Sequence, residues 1–218
     1  MNLKKQILIT GYLGLIGALL VGVGEFLLHF DIQGRFIGGF DFMQGISASR
    51  STWGHFIGVL SAPLYIIGYW HIMKMLEPAG KTASKVAFIV MSYGIFMGAI
   101  WIGSRSSISA IINDVTITNA TNLIALYELR YENLLTVTRI AALVFSGLFI
   151  WLILTGKTHY PKWMALFNPI VLILASFAVW ITIPAIGVYL MPIALNIAFA
   201  ILFGVSLYFA HKLQDKKD

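Results

Sequence analysis

The chain contains no cysteine, which excludes disulfides, thiolate metal sites and cysteine nucleophiles and says little about compartment. Charge is scarce too. Only 11% of the 218 residues are Asp, Glu, Lys or Arg, against about 25% in ordinary soluble domains. What remains is apolar: 59% of the chain is hydrophobic and its mean hydropathy is +0.85. A chain this short cannot hide so much apolar surface in a water-soluble core, and the alternative solvent is lipid. No low-complexity segment interrupts the pattern, and no internal repeat stands out.

Six apolar runs reach the ~20 residues needed to cross a bilayer, at residues 6–29, 55–75, 85–112, 134–156, 163–183 and 187–211. The first follows Met1 to Lys5 and imitates a signal peptide, but it is longer than a typical apolar signal core, so a retained helix is expected. The lysines set the orientation. Lys4, Lys5, Lys74, Lys81, Lys85, Lys157, Lys162, Lys212, Lys216 and Lys217 all fall on one side of a six-span arrangement, and cytoplasmic loops are the ones enriched in Lys and Arg. Five or seven spans would scatter them. The expected fold is therefore an all-α integral membrane bundle of six transmembrane helices forming one domain over residues 1–218, with both termini cytoplasmic and two long outer loops.

Arg35, Arg50, Arg105, Arg130 and Arg139 map instead to the outer side, with Glu25, Asp31, Asp41, Asp114, Glu128 and Glu132. The formal charge of +6 thus resides in an inner lysine rim suited to anionic lipid headgroups, and nucleic acid is not an expected partner. His71, His159 and His211 are read as interfacial residues on that inner side. The long outer loops cover residues 30–54 and 113–133. In the second, Asn119-Ala120-Thr121-Asn122 offers an Asn or Thr helix cap, so residues 123–131 are expected to form a surface helix or an outward extension of the fourth span.

Periodicity places polar residues on packing faces. Gly14, Ala18, Gly22, Glu25 and His29 share one stripe of the first helix; Glu25 and His29, four apart, lie one above the other. His55, Gly58, Ala62, Tyr65 and Tyr69 form a second stripe. Gly94, Gly98, Trp101, Arg105 and Ser109 form a third, and Glu128, Glu132, Thr136 and Arg139 a fourth. Small residues let neighbouring helices approach closely, within one bundle or between copies. If the helices are neighbours, Glu25, His29, His55, Arg105, Glu132 and Arg139 converge on a chamber that opens outward. Asn168 and Asn196, in the last two runs, read as interhelical hydrogen-bonding residues.

A carboxylate at the edge of hydrocarbon normally faces protein or a wet cavity. Glu25, His29 and His55 are the catalytic candidates, as an acid/base set; no H-E-x-x-H motif accompanies them, and neither a metal nor a cofactor is expected. Arg105, Arg139, Arg50, Glu132 and Trp101 are the candidate ligand-binding residues, since arginines grip carboxylate or phosphate in a fork. The leading expectation is a pocket that binds a small anionic or amphiphilic, lipid-like ligand. A lipid-directed hydrolase or transferase is the first alternative, and a small-solute or proton-coupled transporter the second.

Gly24-Glu25-Phe26-Leu27-Leu28 resembles the Gly-Asp-x-Leu-Leu signature of an uncharacterised group of bacterial membrane proteins. The second helix of that group is similar to Pro63-Leu64-Tyr65-Ile66-Ile67-Gly68-Tyr69-Trp70, followed by a turn like Leu76-Glu77-Pro78-Ala79-Gly80. The likeness covers the first third to half of the chain and implies a multi-pass protein of the bacterial inner membrane, without an activity. A fainter likeness of the same pentapeptide is to the lysoplasmalogenase family, membrane enzymes acting on lysolipids, and it supports the enzyme alternative.

Overall fold

The computed structural model describes residues 2–37 and 39–215; Lys216 and Lys217 of the lysine rim, and Asp218, lie outside the described residues. The architecture is all-α among those residues. Seven helices follow in order: α1 (Leu3–His29), α2 (Ala48–Leu76), α3 (Lys81–Asn113), α4 (Ala120–Thr155), α5 (Pro169–Thr182), α6 (Pro184–Leu190) and α7 (Ala194–Asp215). Among the described residues, five helical stretches are long and apolar enough to cross a membrane: α1, α2, α3, α4 and the continuous Pro184–Asp215. That marks a multi-pass membrane protein.

The fifth run departs from expectation. Asn168-Pro169 divides it into a 3-10 turn, Lys162–Phe167, and α5. Proline fits a helix's first turn best, and with Asn168 as its cap α5 begins at Pro169 and extends 14 residues, about 21 Å at 1.5 Å per residue. Asn168 is therefore no interhelical link: its side chain accepts from Val171 N and donates to Ala165 O, capping α5 locally. The second long loop resolves into an extension of α4, which runs unbroken from Ala120. Asn119 holds the N-cap position without a side-chain hydrogen bond.

Two glycine-lined seams set the packing. A Cβ placed on Gly14 would lie 2.5 Å from the Gly68 Cα, and one on Gly24 2.5 Å from the Gly58 N, so the backbones of α1 and α2 touch at two levels. A Cβ on Gly94 would lie 2.7 Å from that of Ala141, where α3 meets α4, and Thr138 Oγ1 donates to Gly94 O across the same seam. These small-residue faces are thus occupied within the chain. Between them Tyr65, Tyr69, Phe145, Phe149, Phe199 and Phe203 fill the centre, all buried.

The start of α1 and the end of α7 approach the same end of the bundle. Tyr12 OH lies 2.9 Å from His211 Nε2, joining α1 to the end of α7. Lys162 Nζ donates to Ile153 O and Gly156 O, closing the C-terminus of α4. His71 corrects the interfacial reading: it is fully buried, with Nδ1 2.7 Å from Ile7 O and Nε2 2.6 Å from Ser206 Oγ, itself 2.5 Å from Tyr160 OH. The apolar sequence around His71 hides the fact that three helices meet there. At the opposite end, Arg35 beside Asp31 (2.7 Å) holds that carboxyl below the usual carboxylate range and stiffens the loop after α1.

The seam makes a prediction. Gly24→Val and Gly68→Leu should each destabilise the fold by about 3 kcal/mol, read as a fall in melting temperature in detergent. Gly147→Ala, whose new methyl meets nothing within 4 Å, should not. Equal melting of all three would show that the contact is not structural.

Candidate functional site

Glu25 sits in the last turns of α1, immediately after the seam residue Gly24. Its neighbour therefore faces α2, while Glu25 itself is rotated about 100° around the helix. There Asn196 of α7 donates to Glu25 Oε2 at 2.5 Å, and Tyr65 OH of α2 donates to Asn196 Oδ1 at 2.6 Å. The three groups tie α1, α2 and α7 together across an otherwise apolar interior. Asn196 was legible as a hydrogen-bonding residue, but its partner was not. The available signal was that a buried carboxylate and a mid-helix amide each need a partner.

His29, one turn on, takes a different direction. It is buried, 5.3 Å from the Trp101 ring and 5.6 Å from that of Phe42, and its Nε2 has no hydrogen-bond partner among the described residues. Trp101 also carries Arg105: the guanidinium carbon lies 4.0 Å from the Trp101 ring centre and 5.3 Å from that of Phe40. Arg105 is 1% exposed and donates to Glu132 Oε1, which also accepts from Trp101 Nε1 at 3.1 Å. A cation this buried is tolerable only when paired and stacked, and both conditions are met.

Phe40, Phe42 and the buried Met43 come from the first long loop and cover Arg105 and His29. Glu25, His29 and their partners were expected to line a chamber opening outward. Over Arg105 and His29 the loop forms a cover instead, because its aromatic side chains need burial and a buried guanidinium offers them a partner. Arg50 is engaged at the same end, donating to Phe26 O and Phe30 O (2.6 Å) and so terminating α1.

The opening lies on the flank. A cleft of about 700 Å³ is lined by Glu25, Trp101, Thr136 and Arg139 among apolar residues that include Leu143 and Phe177. It separates α4 from α5, which meet over a small area, with α7 behind. Arg139 is exposed and makes no hydrogen bond or ion pair among the described residues. The structure thus brings Glu25, Trp101 and Arg139 together and sets Arg105 and Glu132 beside Trp101. His55 is elsewhere: it lies 3.3 Å from Ser106 Oγ and lines a separate pocket of about 430 Å³ with Tyr127 and Tyr131. No histidine bonds to Glu25 among the described residues, and no three His, Asp or Glu side chains stand together there as metal ligands.

The chain belongs to a family of unknown function (DUF6796), which it matches over residues 1–212. No curated protein and no solved structure matches it.

The Arg105–Glu132 pair can be tested by a double-mutant cycle. Glu132→Gln should cost about 3 kcal/mol by stranding the buried guanidinium, whereas Arg105→Met with Glu132→Gln should recover most of the lost melting temperature. Additive losses would mean the two groups do not interact.

Proposed function

We propose that the chain crosses a bacterial inner membrane six times, with both termini cytoplasmic, and binds an amphiphile with an anionic head in the flank cleft. In this arrangement the 3-10 turn at Lys162–Phe167 and α5 make the short fifth crossing, and Pro184–Asp215 the sixth. The gathering of Lys4, Lys5, Lys74, Lys81, Lys85, Lys157, Lys162 and Lys212 at one end supports that orientation. A reporter fused after Asp218 should then read as cytoplasmic and one inserted near Asp41 as exterior; the opposite pattern rejects the topology.

The ligand reading rests on Arg139. An unpaired guanidinium on the wall of an apolar cleft is costly in a membrane and normally marks an anion or a wet path. Leu143, Ile173 and Phe177 offer a chain-binding surface beside it, and Glu25 lies further in with one carboxylate oxygen already held by Asn196. A flank opening suits a ligand that arrives from the bilayer. An acidic head would pair with Arg139 while its chain replaced lipid contacts at little cost.

In detergent, native mass spectrometry should show oleate or lysophosphatidic acid retained and mono-oleoylglycerol retained at least about tenfold less well. Arg139→Gln should weaken the acidic ligands by about tenfold or more, the range of a hydrogen bond to a charged group. Equal binding of acidic and neutral amphiphiles, unchanged by Arg139→Gln, would overturn the reading.

A further inference from the structure

A third opening lies at the end of the bundle where α2 begins and α3 finishes, away from the cleft. It is a groove of about 740 Å³ between the first turns of α2 and the last turns of α3. Ser47, Ser51 and Thr52 line it from the start of α2, and Ser106, Ser107 and Ser109 from α3. Hydroxyls on helices commonly bond back to their own backbone, but Ser51 does not. It is 5% exposed, and its hydroxyl has no hydrogen-bond partner among the described residues. A buried hydroxyl left unpaired is costly, and a ligand group in the groove would remove that cost.

The charges of the groove narrow the ligand class. Among the described residues no lysine or arginine lines it. The nearest arginine on α2, Arg50, is turned to the carbonyls of Phe26 and Phe30. The one charged lining residue is Asp114, whose carboxyl is held below the usual carboxylate range by hydrogen bonds from the Thr116 hydroxyl and amide. An anion would be repelled there despite the helix start nearby. Asn113 is engaged with Met43 O, Ser109 O and Gly45 N, so it fixes the rim. Ser47 Oγ caps α2 by accepting from Arg50 N, and Ser106 Oγ lies 3.3 Å from His55 Nδ1. What remains is the array of hydroxyls of Ser51, Thr52 and Ser107, groups that each donate and accept, closed by a fixed acceptor. Alcohols match that array, because each hydroxyl of a polyol also donates and accepts.

We infer that the groove between α2 and α3 binds a saccharide, either free or as a lipid headgroup. The site is independent of the anionic amphiphile cleft, and the two fail separately under test.

The full chain in phosphatidylcholine nanodiscs can be probed with methyl β-glucoside by saturation-transfer NMR and with a glucosyl-diacylglycerol by native mass spectrometry. Binding of the free glycoside assigns a soluble saccharide, and binding of the glucolipid alone assigns a headgroup; either supports the site. Ser51→Val, Ser107→Ala and Asp114→Asn should each weaken that binding by about threefold or more, while Arg139→Gln leaves it unchanged. Ser107 is only partly buried, so its variant tests the groove without endangering the fold. Binding of neither probe, binding indifferent to all three substitutions, or a preference for inorganic phosphate would overturn the inference.

Discussion

The backbone contact between α1 and α2 is the constraint on which the polar interior depends. At Gly24 and Gly58 no side chain separates the helices, and Leu28, one turn after Gly24, packs back onto Gly54. With that face committed, Glu25 cannot point at α2. It is turned toward α7, where Asn196 meets it, and Tyr65 reaches the same amide from α2. A bulkier residue at Gly24 would therefore disturb more than packing: it would rotate the carboxylate away from its partner. The seam positions Glu25 as much as it joins two helices.

Elsewhere the structure satisfies polar groups by the same device, a short chain of hydrogen bonds spanning several helices. A backbone carbonyl can only accept, so Nδ1 of His71 carries the proton toward Ile7 O, and Nε2 accepts from Ser206. Ser206 in turn accepts from Tyr160, which gives the chain one direction. Lipid offers no hydrogen bonds, so such chains confine the packing to a single register. Arg105 follows the same logic with a charge. Glu132 neutralises it, and Trp101 and Phe40 stack on it.

Much of this organisation was legible from residue spacing. Long apolar runs identified α1 to α4, and Gly14, Gly58 and Gly94 of the small-residue stripes lie in the seams, as do Gly24 and Gly68, which the stripes left out. Trp101, Arg105, Glu132 and Arg139 were all singled out by their periodicity. What spacing could not carry was direction. Residues four apart share a face, yet Glu25 turns to α7 while His29 turns to Trp101 and Phe42, because each follows the nearest available partner. His55 shares a stripe with Tyr65 but turns to Gly103 and Ser106 of α3, in a pocket apart from Glu25. Nor could spacing reveal that Phe40 and Phe42 fold back over the bundle: loop aromatics carry no period, and the contact they make is long-range.

Two of the four prolines of the last third explain why the opening is on the flank. Pro169 delays the start of α5, and Pro192 interrupts the final stretch with a 3-10 turn at Met191–Ile193. A short α5 and an interrupted approach to α7 cannot lie along α4 as α3 does through Gly94 and Ala141. The gap that results sits where Arg139 and Glu25 approach from different helices. Had α5 been a full-length helix with a small-residue face, α4 would have been sealed on both sides and Arg139 buried without a partner. The departure from regular helix is what makes an unpaired arginine tolerable in this bundle, and it places that arginine within reach of a ligand approaching through lipid.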